Sequence, residues 1–101
     1  MSVQIGNLTF DRVHYDAGGD VLYLHRADPS QAVDFDESPE GHALRFDASG
    51  QLIGVTIVNA EWLLEHEGEI KITIPEQIHL KRAQLKDALA APDEKTDPIR
   101  L

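Results

Sequence analysis

Between Tyr15 and Leu24 the chain reads Tyr-Asp-Ala-Gly-Gly-Asp-Val-Leu-Tyr-Leu, a run that is best satisfied by two strands and a tight turn. Arg12–Tyr15 leads in, Ala17-Gly18-Gly19 reverses the chain, and Val21–Leu24 leads out. Glycine supplies the positive φ that short hairpin loops need, and Asp16 and Asp20 on either side can bond turn backbone. The outgoing strand is β-branched, aromatic and apolar, which suits a pleated surface buried on at least one face.

A second hairpin repeats the design. Ala43–Phe46 enters, Asp47-Ala48-Ser49-Gly50 turns, and Leu52–Val58 is the most continuously apolar run in the chain. Tyr15-Asp16 and Phe46-Asp47 hold equivalent places, each an aromatic residue and an aspartate before a glycine-containing turn. Gly54 interrupts the apolar run. A glycine inside a strand weakens it, so a bulge, a neighbouring backbone or a ring (Tyr15, Tyr23 or Phe46) is expected to fill the space.

These segments also carry a resemblance. Tyr15-Asp16, Asp20–Leu24, Phe46–Gly50 and Ile53–Ile57, taken together over Arg12 to Asn59, resemble a small prokaryotic family known as domain of unknown function 2283. The resemblance implies a compact antiparallel domain in which Tyr15, Asp16, Asp20, Tyr23, Phe46, Asp47, Gly50 and Gly54 form a structural motif. It implies no activity, ligand or catalytic residue.

Around this centre the remaining elements are shorter. Val3–Ile5 and Leu8–Phe10 flank Gly6-Asn7 and read as a first hairpin. Residues 27–41 carry two prolines and five acids and read as a long solvated connection, with Ala32–Phe35 as a short edge strand. Asn59 suits an N-cap before a single helical turn, Glu61–Leu64, and a polar turn then runs through Gly68. Trp62 in that turn is expected to close one end of the core, with an exposed partner anchor as the alternative. Ile70–Ile74 alternates as a strand, and Pro75 ends the alternation. From Lys81 to Ala90 the period becomes helical, with Ile78 and Leu80 at its entry.

The expected fold is α+β, mostly β: an antiparallel sheet of five to seven short strands with one C-terminal helix packed on it. Residues 1–91 form the globular domain, and 92–101 a mobile polar tail. One ten-residue helix cannot cover so much apolar strand, which predicts a homodimer through sheet packing or edge pairing.

Composition narrows the chemistry. Eighteen acidic residues against nine basic ones give a net charge of −9, which opposes binding to a phosphate backbone. No cysteine is present, which removes disulfides, thiolate metal sites and cysteine nucleophiles. No apolar run approaches the ~20 residues of a membrane span, and the N-terminus shows no basic-then-apolar leader, so a cytoplasmic location is expected. The serines lack a nucleophile elbow, Gly18-Gly19 lacks the pattern of a phosphate loop, and His14, His25, His42, His66 and His79 lack zinc spacing.

Two functions remain. The first is a non-enzymatic protein-interaction or accessory module without a cofactor, meeting its partner through the acidic 28–40 loop or an exposed sheet. The alternative is a small enzyme or divalent-metal-binding protein using Asp16, Asp20, Asp47 and a histidine. His14 and His25, which flank the main hairpin, are candidates to pair across it.

Overall fold

The computed structural model describes residues 2–74 and 77–90. The expected polar tail, 92–101, and Pro75 lie outside them. The fold is α+β and mostly antiparallel strand, with a helix at the C-terminal end of the described chain.

The main hairpin is β3 (Arg12–Asp16) and β4 (Val21–His25). It joins β5 (Asp34–Glu37), β6 (Ala43–Phe46) and β7 (Leu52–Val58) in a five-stranded sheet of order β3-β4-β7-β6-β5. The long apolar strand β7 therefore lies at the centre, bonded on both sides. Two separate two-stranded sheets complete the strands: β1 (Val3–Ile5) with β2 (Leu8–Phe10), and β8 (Glu69–Thr73) with β9 (Gln77–Lys81). Gly6, at φ +61°, makes the β1–β2 turn as expected.

Several sequence expectations shift. The 27–41 connection contains a 3-10 turn, Pro29–Gln31, and its edge strand begins two residues later than Ala32. Ile78 and Leu80 belong to β9 and not to a helix entry. They alternate with His79 and Lys81, and Lys81 faces Glu69 across the hairpin. Glu69 accepts from Lys81 and His79, which together hold its carboxyl down to about 2.

Helix α1 (Ala60–Glu67) is eight residues, twice the expected turn, and ends on Gly68 at φ +80°. Ala60 and Leu64, four apart, face the core. Trp62 points elsewhere and is 50% exposed, stacked on His66, so it does not close the core. Helix α2 (Arg82–Ala90) buries Leu85 and Ala88. No helix among the described residues is long and apolar enough to cross a membrane.

One apolar cluster unites these layers. Tyr15, Leu22, Leu24, Leu44, Val55 and Ile57 from the large sheet join Phe10, Ile70, Leu80, Leu64 and Leu85. Each fully buried Leu or Ile contributes about 1.5–3 kcal/mol. Both small hairpins and α1 share this core with α2, so the C-terminal helix is not its only cover. Among the described residues, the opposite face of the large sheet has no such layer.

Candidate functional site

The three turn aspartates have three different duties. Asp16 Oδ1 accepts from the amides of Gly18 and Gly19 at 3.1 and 3.4 Å. Neither glycine has a positive φ; Asp20 does, at +57°, so the expected source of the left-handed residue is corrected. A Cβ at Gly19 would sit 3.2 Å from the Asp16 carboxylate, so Gly19 makes room for that carboxylate to reach the loop amides. Asp47 Oδ1 accepts from the amides of Ser49 and Gln51 and from the Ser49 hydroxyl. Those bonds, led by the Ser49 hydroxyl, hold its carboxyl below the usual range. Gly50, at φ +86°, completes that turn.

Asp20 does not serve its own loop. Its Oδ1 accepts from the Glu61 amide at 2.7 Å, its Oδ2 from Trp62 at 3.1 Å, and its backbone carbonyl from Ala60 at 3.1 Å. It is thus the N-cap of α1, supplied from another hairpin. Asn59, the expected cap, is left-handed and makes no side-chain cap bond. The Tyr15 hydroxyl donates to Asp20 Oδ1 at 2.8 Å. Burial, and then this bond to a carboxylate, push the Tyr15 pKa well up. The second hairpin has Phe46 in place of Tyr15 and Gly50 at the left-handed position that Asp20 holds, so it lacks both the hydroxyl and the acid.

The five histidines do not gather into one site. His14 lies opposite Tyr23, its ring stacked 5.6 Å away, and His25 lies opposite Arg12, so the two histidines are not cross-strand partners. His42 is 1% exposed, and its Nδ1 has no hydrogen-bond partner among the described residues. Burial lowers its pKa, partly opposed by Glu40. Among the described residues, no group of three or more histidines or acids is placed to hold a metal ion.

The uncovered face of the five-stranded sheet gathers the remaining polar and aromatic side chains. Cross-strand register aligns Arg12, His25, Gly54, Arg45 and Phe35 in one row. His14, Tyr23, Thr56, Ala43 and Glu37 form the next, and Asp16, Val21 and Val58 a third. Gly54 is the notch at the centre of the first row. A Cβ there would lie 3.0 Å from the His25 ring and 3.3 Å from Arg45 Cβ. The filling ring is therefore the His25 imidazole, and not Tyr15, Tyr23 or Phe46. The expected bulge is also present, since Arg45 pairs with Gly54 while Phe46 pairs with Leu52, leaving Ile53 as the extra residue.

Arg45 is held over this face by a bond from Nη1 to the Thr56 hydroxyl at 3.0 Å and lies 5.9 Å from the Phe35 ring. Phe35 itself is 63% exposed. Burial, followed by the charge of Arg45, lowers the pKa of His25, so its imidazole is neutral near pH 7. Beside it, Arg12, His14, Tyr23 and His25 line an open hollow of about 400 Å³. Sequence periodicity marks alternate residues of each strand. It does not tell which face is covered, and that depends on where the small hairpins pack.

Residues 12–61 match the model of a family described as protein of unknown function, DUF2283. The match starts at the first residue of β3 and ends at Glu61, whose amide Asp20 caps. It therefore includes the whole five-stranded sheet and the start of α1, but neither small hairpin. No curated protein and no solved structure matches the chain.

Proposed function

The chain belongs to the DUF2283 family of proteins of unknown function, and we propose that it is a non-enzymatic protein-interaction module acting through the outer face of its five-stranded sheet. The observation that carries this reading is the row Arg12-His25-Gly54-Arg45-Phe35, which lies on a sheet face that no layer covers among the described residues. Arginine and aromatic residues are the side chains most enriched at protein contacts. Asp16, Asp20 and Asp47 each accept from backbone amides of a different element, which supports structural roles over a catalytic or metal-binding one.

The first partner in this reading is a second copy of the chain. The outer edge of β5 is poorly suited to that contact. On the edge strand β5, Asp34 and Asp36 each accept from the next residue's amide, at 3.0 and 2.8 Å. Two donors that could recruit another strand are thereby occupied, beside carboxylates that repel an acidic copy. In this reading the face, and not this edge, is the contact. Sedimentation from micromolar to submillimolar concentration tests this. The wild type is expected to form a reversible dimer, Phe35→Asp to be monomeric, and Trp62→Asp, altered off the face, to match the wild type. A wild type that stays monomeric throughout overturns it.

A further inference from the structure

We propose that the outer edge of β3 accepts a strand: an extended segment of a partner protein, with a base at its start and an acid at its end, adds antiparallel to Arg12–Asp16. This surface is separate from the outer face of the sheet. Main-chain groups specify it, and side chains choose among the strands that fit.

Backbone register decides which groups the edge presents. The Arg26 amide donates at 3.0 Å to Ile53, which stands opposite it when the β4–β7 register is continued. Antiparallel neighbours alternate between bonded and unbonded pairs. Leu24 and Leu22 therefore also bond to β7, while His25, Tyr23 and Val21 turn to β3. On β3 this uses Arg12, His14 and Asp16, and it leaves the amides and carbonyls of Val13 and Tyr15 pointing away from the sheet. Among the described residues none bonds to those groups. The other outer strand differs. On β5 the amides of Phe35 and Glu37 are each captured by the aspartate before them. On β3 the preceding residues are Arg12, which has no acceptor, and His14, whose ring is stacked on Tyr23. This edge keeps its strand-pairing groups.

Side chains along the edge say what kind of strand fits. Arg12 and Asp16 lie at its two ends on the outer face, where an added antiparallel strand makes its close, unbonded pairs. Arg12 has no ion pair among the described residues, although the chain carries twice as many acids as bases. Asp28 is held below its ordinary range chiefly by Ser30 and least by Arg12. An acid opposite Arg12 and a base opposite Asp16 are the matching residues. Val13, partly buried, and Tyr15 face the core side beside α2, so apolar side chains belong opposite them. A second copy of β3 has this same pattern, but it brings its own α2. That helix packs against β3 and not closely against β4 or β7. Edge pairing of two copies would bring the two helices within about one strand spacing, where packed helices need about 8–10 Å. A segment with no helix above it meets no such obstacle.

The test uses the Phe35→Asp protein, so that self-association through the outer face takes no part. The probe is the end-blocked peptide Lys-Val-Thr-Val-Glu, raised to about millimolar concentration. Amide NMR should show saturable shifts at Val13 and Tyr15. The charge-reversed peptide Glu-Val-Thr-Val-Lys should bind about tenfold more weakly. Methylating the nitrogen of the second valine should abolish binding, because that amide donates to the Val13 carbonyl. Val13→Pro removes an outward amide without touching a β3–β4 bond, and this variant, folded by circular dichroism, should lose the peptide as well. Absent shifts at Val13 and Tyr15, or equal binding of the reversed or methylated peptide, would overturn the site whatever the outer face does. A Phe35→Asp protein that dimerises until Val13→Pro is added would give the edge to a second copy and overturn the proposed occupant.

Discussion

The Tyr15 hydroxyl and the Glu61 amide both donate to one oxygen, Oδ1 of Asp20, from hairpin and helix respectively. This shared acceptor ties the first strand of the large sheet to α1. Asp20→Ala is expected to cost about 1–3 kcal/mol, through loss of the cap and of the Tyr15 partner. Tyr15→Phe should cost about 1 kcal/mol. Because both act on one acceptor, the double variant should lose less than the sum of the single losses. Urea midpoints of the four proteins check this, and strict additivity would show that the bonds are independent.

Gly54→Val should destabilise by about 1–3 kcal/mol despite the better strand propensity of valine. The new side chain meets the His25 ring and Arg45 Cβ. In a His25→Ala background the same change should cost clearly less. An equal cost in both backgrounds would place the conflict on Arg45 alone.

Stability should fall as the pH drops below neutrality. His42 is neutral in the fold, with its pKa depressed by burial below the ordinary 6.5, so the unfolded chain binds the proton more readily. Its contribution is fully present above that value and is lost as pH falls below 6.5 and through the lower folded value. His25 shifts in the same direction, through burial and then Arg45. Denaturation midpoints between pH 7.5 and about 5 should therefore decline, and His42→Leu should flatten the decline. An unchanged slope in that variant would remove His42 as a cause.

Replacing Asp34 and Asp36 together with threonine should leave the fold intact and raise its tendency to aggregate. The change frees the amides of Phe35 and Glu37 on the edge strand and removes two charges there. Light scattering during mild heating is the measurement, and scattering equal to the wild type would show that other features protect this edge.

Local signals in the sequence locate most strands. Val21–Leu24, Leu52–Val58 and Ile70–Ile72 announce themselves by alternation or by β-branched runs, and Asp47 with Gly50 announces its turn. Ile78 and Leu80 resume the alternation interrupted at Pro75, a period-2 signal that is easily absorbed into the helical pattern beginning at Lys81. The role of Asp20 has no local signal, because its partners are 41 and 42 residues away. It becomes legible only when β4 is known to lie beside β7, which sets Val21 opposite Val58 and Asp20 next to the start of α1. The ring over Gly54 follows the same logic: His25 is its cross-strand neighbour only through the β4–β7 register.

An eight-residue helix is too short to persist by itself in water. Ordinarily its first-turn amides would fray and exchange their hydrogens with solvent well before the rest of the molecule opened. Here Ala60, Glu61 and Trp62 donate to Asp20 across the β4–β7 junction. Those bonds moor the helix start to the end of β4, so these three hydrogens should exchange more slowly than those of an uncapped first turn.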